Sequence, residues 1–246
     1  MDYSTSGVLA ILVILVVLIV VTVPVRRKPT LRRIAAYARL PHIVGRTVES
    51  DRRLHISLGQ AGLGGEGTMI ALAAAELAYQ LARRAAVGDQ SPLVSTGETS
   101  AVPLAQDALR RAYYARGLRT RYNPSGARWY PAGGRALAFA AALSAMQGDE
   151  RIGGNVLAGT YGAELALVMT SASRMNIPTV AVSDRIDGQA VAYAMTGLPL
   201  IGEEVFVSTA YLEDDASSAR VALTMDVLRY LLIGVMLFIL ILSVRG

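Results

Sequence analysis

The sequence predicts an α/β fold: a Rossmann-like, mostly parallel sheet with helices on both faces, flanked by two transmembrane helices. Three observations lead there. Short β-type runs alternate with Ala-rich helical stretches through residues 51–212, the pattern of a parallel sheet covered on both sides. Small turns rich in Gly, Ser and Thr follow the β-type runs. Each end of the chain carries an apolar run without a charged residue.

Composition bounds the function classes. The 246 residues are 53% hydrophobic, with a mean hydropathy of +0.41. Cysteine is absent, which removes disulfides, thiolate metal sites and a Cys nucleophile. The net charge of +5 comes almost wholly from arginines. Several of them stand beside the first apolar run, where positive charge is a topology signal, and the others alternate with acids, so the balance is not read as a nucleic-acid footprint.

The organisation expected is an external tail at 1–7, transmembrane helix 1 at 8–25, a basic juxtamembrane helix and linker at 26–50, a cytoplasmic α/β domain at 51–212, an acidic link and helix lead-in at 213–229, and transmembrane helix 2 at 230–244. About 18 apolar residues span roughly 27 Å as a helix, close to the hydrocarbon thickness of a bilayer. The stretch before the first run lacks Lys and Arg, and no small-x-small cleavage site follows it, so it reads as an uncleaved span. Arg26, Arg27, Lys28, Arg32 and Arg33 place its far end inside. The expected location is an inner (cytoplasmic) membrane, with both termini outside and the main domain cytoplasmic. The alternative for 230–244 is a buried core helix.

Taken in order, 30–37 reads as a short amphipathic helix ended by Pro41, with His42 solvated behind it. Residues 54–58 alternate as a strand, followed by the loop GQAGLGGEG and a helix over 68–87. Strand, glycine turn and helix is the layout of a phosphate cradle, and Gly62, Gly64 and Gly67 fit G-x-G-x-x-G. The acid about 20 residues on that would hold a ribose falls at Asp89, in a turn, and no Walker lysine is present. The structural alternative is a slim loop that lets helix and strand pack closely.

A second strand at 92–95 leads through a hydroxyl-rich turn to a helix over 102–116, with Ser100 its candidate cap. Residues 119–130 predict a hairpin turning at Asn123–Gly126, its Tyr122, Trp129 and Tyr130 beside arginines. A helix follows at 135–146, a strand at 155–158, a turn at 159–162 and a helix at 163–175. A buried-type strand at 178–183, a short helix at 188–196 and a last strand at 203–208 complete the domain. Glu203 and Glu204 are adjacent and would point to opposite faces of that strand, which argues against a catalytic pair.

In such a fold the turns gather at the C-terminal edge of the sheet, where open α/β sheets bind ligands. The candidate ligand-binding residues are therefore Gly59, Gly62, Gly64, Gly65, Gly67, Thr68, Ser95, Thr96, Gly97, Thr99, Ser100, Gly159, Thr160, Gly162, Ser183 and Asp184. No catalytic residue and no metal site is assigned: the only histidines are His42 and His55, and no ligand spacing recurs. No cofactor is identified.

The segments SLGQAGLGG, VSTGETS, NVLAGTYGAE, LPLIGEEVF and DVLRYLLIG resemble those of a bacterial membrane-protein family carrying a domain of unknown function, over about 45–234. The matching positions are Gly59, Gly62, Thr96, Gly97, Asn155, Gly159, Gly162 and Glu203. The resemblance implies the architecture and no activity. The sequence-level reading is a membrane-anchored, non-enzymatic assembly or interaction subunit. Its partners would be the lipid bilayer and either further copies of itself or a membrane protein complex. The alternative is a nucleotide- or phospholigand-binding sensor using the Gly/Ser/Thr turns.

Overall fold

The structure is a computed structural model that describes residues 31–132 and 136–213, together with Tyr230, Ile233, Gly234 and Met236. The chain divides into two units, and residues 33–212 form the one described below. Its elements are α1 (Ala35–Glu49), β1 (Arg53–Gly59), α2 (Thr68–Ala85), β2 (Leu93–Thr96), α3 (Val102–Ala115), β3 (Ala127–Trp129), α4 (Ala136–Asp149), β4 (Ile152–Thr160), α5 (Leu165–Arg174), β5 (Thr179–Ser183), α6 (Ile186–Met195) and α7 (Ser208–Leu212).

The five strands form one parallel sheet in the order β3-β2-β1-β4-β5. The chain winds outward from β1 to β3, crosses back, and winds outward again through β4 and β5. The switch point therefore lies between β1 and β4. Both faces are covered, so even the polar residues of β1 and β2, His55, Ser57, Ser95 and Thr96, are buried, while β5 reads as a near-continuous apolar run. On one face Leu54, Ile56 and Leu58 are buried, and α1 and α2 pack there. On the other, Leu93 and Leu157 join Phe139 and Leu143 of α4 and Leu165 and Val168 of α5 in one core cluster. Each such side chain contributes about 1.5–3 kcal/mol on burial. Along α2, Ala71, Ala74, Ala78 and Ala82 are buried, so the helix lies close to its neighbours.

Among the described residues no helix is long and apolar enough to cross a membrane. The expected span at 8–25 lies outside the described residues, as does 230–244 apart from the four residues named above. The two-span inner-membrane location is corrected on that finding. A span needs one continuous apolar helix of about 20 residues, and an apolar run is only a candidate for one.

Three local expectations also change. The helix expected to stop at Pro41 runs through it, from Ala35 to Glu49. Ile43, Val44 and Thr47 continue the buried stripe beyond the proline, and their burial offsets its cost of about 3 kcal/mol. The expected hairpin at 119–130 is not one. Arg119–Arg121 and Pro124–Gly126 are 3-10 turns, the second closed by the Asn123 side chain accepting from Ser125 N–H, and β3 pairs in parallel with β2. The expected last strand at 203–208 is a 3-10 helix, Gly202–Val207, that leads into α7. Gly202 has φ +56°, and the Glu204 carboxylate accepts the Ile201 N–H at 2.8 Å, which turns the chain away from the sheet after a single bridge between Ala181 and Pro199.

Candidate functional site

The C-terminal ends of β1, β2 and β4 are laced by their backbones. Gly59 has φ +61°, and a Cβ there would stand 2.6 Å from the Thr160 carbonyl, so only glycine fits. Its own carbonyl accepts the Gly97 N–H at 2.7 Å, and Gln60 N–H donates to Thr160 O at 2.9 Å. These contacts hold open a crevice of about 530 Å³ at the switch point. It is lined by the loop from Gln60 to Gly67, by Glu98 and Ser100 beyond β2, by Thr160 at the end of β4, and by Asp184 and Arg185 beyond β5.

The glycine loop is folded onto its neighbours' hydroxyls. Leu63 N–H donates to Ser100 Oγ at 2.9 Å, and Gly64 and Gly65 N–H donate to Thr68 Oγ1 at 2.9 and 3.1 Å. Ser100 is thus a strut for this loop and not the cap of α3, whose N-terminus has no side-chain cap. On the far wall Thr160 Oγ1 donates to Asp184 at 2.9 Å, and Glu164 accepts from Gln60 Nε2 at 2.9 Å and from Gly162 N–H at 2.8 Å. Ser183 Oγ donates to Tyr161 O and accepts from Tyr161 and Arg185 N–H, which fixes the turn carrying Asp184 and Arg185.

The electrostatics are acidic. Arg185 is the one cation lining the crevice among the described residues, and it is bidentate to Asp187, with contacts of 3.2 and 3.1 Å. That pairing holds the Asp187 carboxyl below the usual carboxylate range. Glu66, which is exposed, and Glu98, which is half-buried, also line the crevice, with no hydrogen-bond or ion-pair partner for either carboxylate among the described residues. A free carboxylate only accepts hydrogen bonds, so the crevice calls for donors.

Of the sequence-derived candidates, Gly62, Gly65, Gly67, Ser100, Thr160 and Asp184 line the crevice. Gly59, Gly97, Gly159 and Gly162 are spacers at close contacts, and Gly64 and Thr68 shape the loop. Thr99 is exposed on a short 3-10 turn, Thr96 is buried and closes the turn to Glu98, and Ser183 lines the neighbouring groove. Ser95 lies elsewhere. It is joined to His55 Nε2 at 2.8 Å, and His55 Nδ1 is joined to Asn155 Oδ1 at 2.8 Å, across three adjacent strands. The order is that of nucleophile, base and orienting group, but all three are fully buried, so no substrate atom reaches Ser95. Burial pushes the imidazole down to about 4 and keeps it neutral.

Sequence reasoning missed Gln60, Glu66, Glu98 and Arg185. Glu98 stands two residues past the end of β2, where a ribose-binding acid stands in dinucleotide folds. Asp89, which the 20-residue rule selects, lies in the turn before β2 with its side chain 96% exposed. Counting from the strand end would have found Glu98.

The fold and crevice define a Rossmann-like α/β domain with a polar cleft at its switch point. The chain belongs to the family described as a domain of unknown function (DUF6754), whose model matches residues 2–245. No curated protein and no solved structure matches it.

Proposed function

We propose that this is a small-ligand-binding sensor domain whose ligand, a nucleoside or sugar-type molecule, occupies the switch-point crevice. The observation that carries the reading is the pair of partnerless carboxylates, Glu66 and Glu98, facing a crevice at the place where open α/β sheets take ligands. The lining ranks hydroxyl-bearing ligands above free phosphates. Its cation is already paired, and the N–H groups of Leu63, Gly64 and Gly65 already have acceptors. Isothermal titration of the 246-residue chain with nucleosides, nucleotides and sugars tests this. We expect the uncharged members to bind more tightly than their phosphates, and Gly62→Val to abolish binding, because its side chain would meet Ser100 Oγ and Glu98. Absence of binding across the panel refutes the reading.

A second reading, an assembly subunit, is favoured by Met69 and Leu72. They lie three positions apart on α2 and are 65% and 46% exposed. Light scattering after size exclusion tests it: a single-copy mass for the wild type, unchanged in Met69→Glu/Leu72→Glu, refutes self-association through this face.

A further inference from the structure

Beside the crevice runs a second depression, an apolar groove of about 660 Å³ between the end of β5, α6 and the 3-10 helix Gly202–Val207. Ile70, Ile186, Tyr193, Ile201 and Phe206 line it. Ile186 is 90% and Tyr193 69% exposed, so these are large apolar side chains turned toward water and not a sealed core. Asp184 and Arg185 line both the groove and the crevice, so the two adjoin each other.

We propose that crevice and groove form one bipartite site for a neutral amphiphile, a polyol head carrying a hydrocarbon chain. The inference rests on the crevice reading above and adds the second half of the ligand. Two observations set its chemistry. Away from Asp184 and Arg185, at its junction with the crevice, the groove offers little polar recognition beyond the Tyr193 hydroxyl: Gln189 on its wall is committed at both ends, its Oε1 accepting from Ser183 N–H at 3.1 Å and its Nε2 donating to Leu200 O at 2.9 Å. A nucleobase would find few protein partners for its edge there, while a hydrocarbon chain has nothing to satisfy. The crevice, in turn, presents Glu66, Glu98 and Asp184 as acceptors and an Arg185 already paired with Asp187. It suits hydroxyl donors and repels a carboxylate or phosphate head. The volume of the groove lies within the roughly 300–1,000 Å³ of small-molecule sites.

The test is titration of the full chain with 1-decanoylglycerol, decanoate and glycerol, kept below micelle formation, alongside an uncharged nucleoside panel. Two variants accompany it, Ile186→Asp on the exposed groove wall and Glu98→Gln in the crevice. We expect one decanoylglycerol per chain, decanoate at least tenfold weaker, and no measurable binding of glycerol. Each variant is expected to weaken decanoylglycerol about tenfold. If nucleosides bind while decanoylglycerol binds no better than glycerol and Ile186→Asp changes nothing, the bipartite site is overturned and the crevice reading survives. If decanoylglycerol and decanoate bind alike and Glu98→Gln is silent, the contact is apolar adsorption and the proposal falls. If nothing binds, both readings fall.

Discussion

The neutral imidazole of His55 makes stability depend on pH in a window that can be stated in advance. In the folded chain burial lowers its value from 6.5 to about 4, while unfolding returns it to water. The unfolded chain therefore takes up a proton below pH 6.5 that the folded chain refuses until about pH 4. The sign follows: stability from this group is complete above pH 6.5, falls as the pH drops through the window, and falls no further below about 4. At 1.36 kcal/mol per pH unit the loss is about 3 kcal/mol at the bottom of the window and about 2 kcal/mol at pH 5. Glu150 and Asp187, whose carboxyls are also held low, begin to act only below their ordinary 4.5 and 3.8. Urea unfolding of the full chain between pH 7.5 and 5 thus isolates the histidine. His55→Gln, less stable overall for lost hydrogen bonds to Ser95 and Asn155, is expected to be nearly flat over the same range. Equal slopes in wild type and variant would refute the assignment of a buried, neutral His55.

Other perturbations read different parts of the fold. Gly188→Ala places a Cβ 2.1 Å from the Tyr161 carbonyl and is expected to cost about 3 kcal/mol by pushing α6 from β4, while Gly197→Ala, with open space around it, leaves the melting temperature within a few degrees. Ser100→Ala removes the acceptor of the Leu63 N–H and should raise hydrogen exchange at Leu63 at a cost of about 1 kcal/mol. Glu150 bridges Arg128 and Arg53 with its carboxyl lowered chiefly by the Arg128 hydrogen bond, so its contribution is present at neutral pH and lost as the pH falls below 4.5. Glu150→Gln should remove that acid limb in a titration of stability, by about 1 kcal/mol or less and less still in high salt.

The succession of β-type runs and Ala-rich segments made the α/β class and four of the five strands legible, β1 by its apolar–polar alternation and β5 as a continuous apolar run. β3 was read only as one arm of a hairpin, since a strand of three residues at the edge of the sheet carries no sign of its partner and the turn before it mimics a hairpin. Residues 203–208 have β-type composition, but local capping by Glu204 decided their conformation. The site was half legible. Glycines and hydroxyls at strand ends are recognisable by type, yet which of them face a cleft depends on strand order, and that is a long-range property. Ser95 shows the limit: it sits in the same hydroxyl cluster as Thr96 and Ser100, and strand alternation sends it into the core.

The imidazole strung between β2 and β4 also works as an indexing pin. Its two nitrogens meet partners only while His55 lies opposite Leu93 and Asn155. Sliding β1 by two residues would keep every side chain on its proper face yet strand the ring in hydrocarbon. Since the rim of the cleft is cut by where these three strands stop, the same pin sets how deep the cleft is, and a variant that loosens it should alter ligand recognition from a distance.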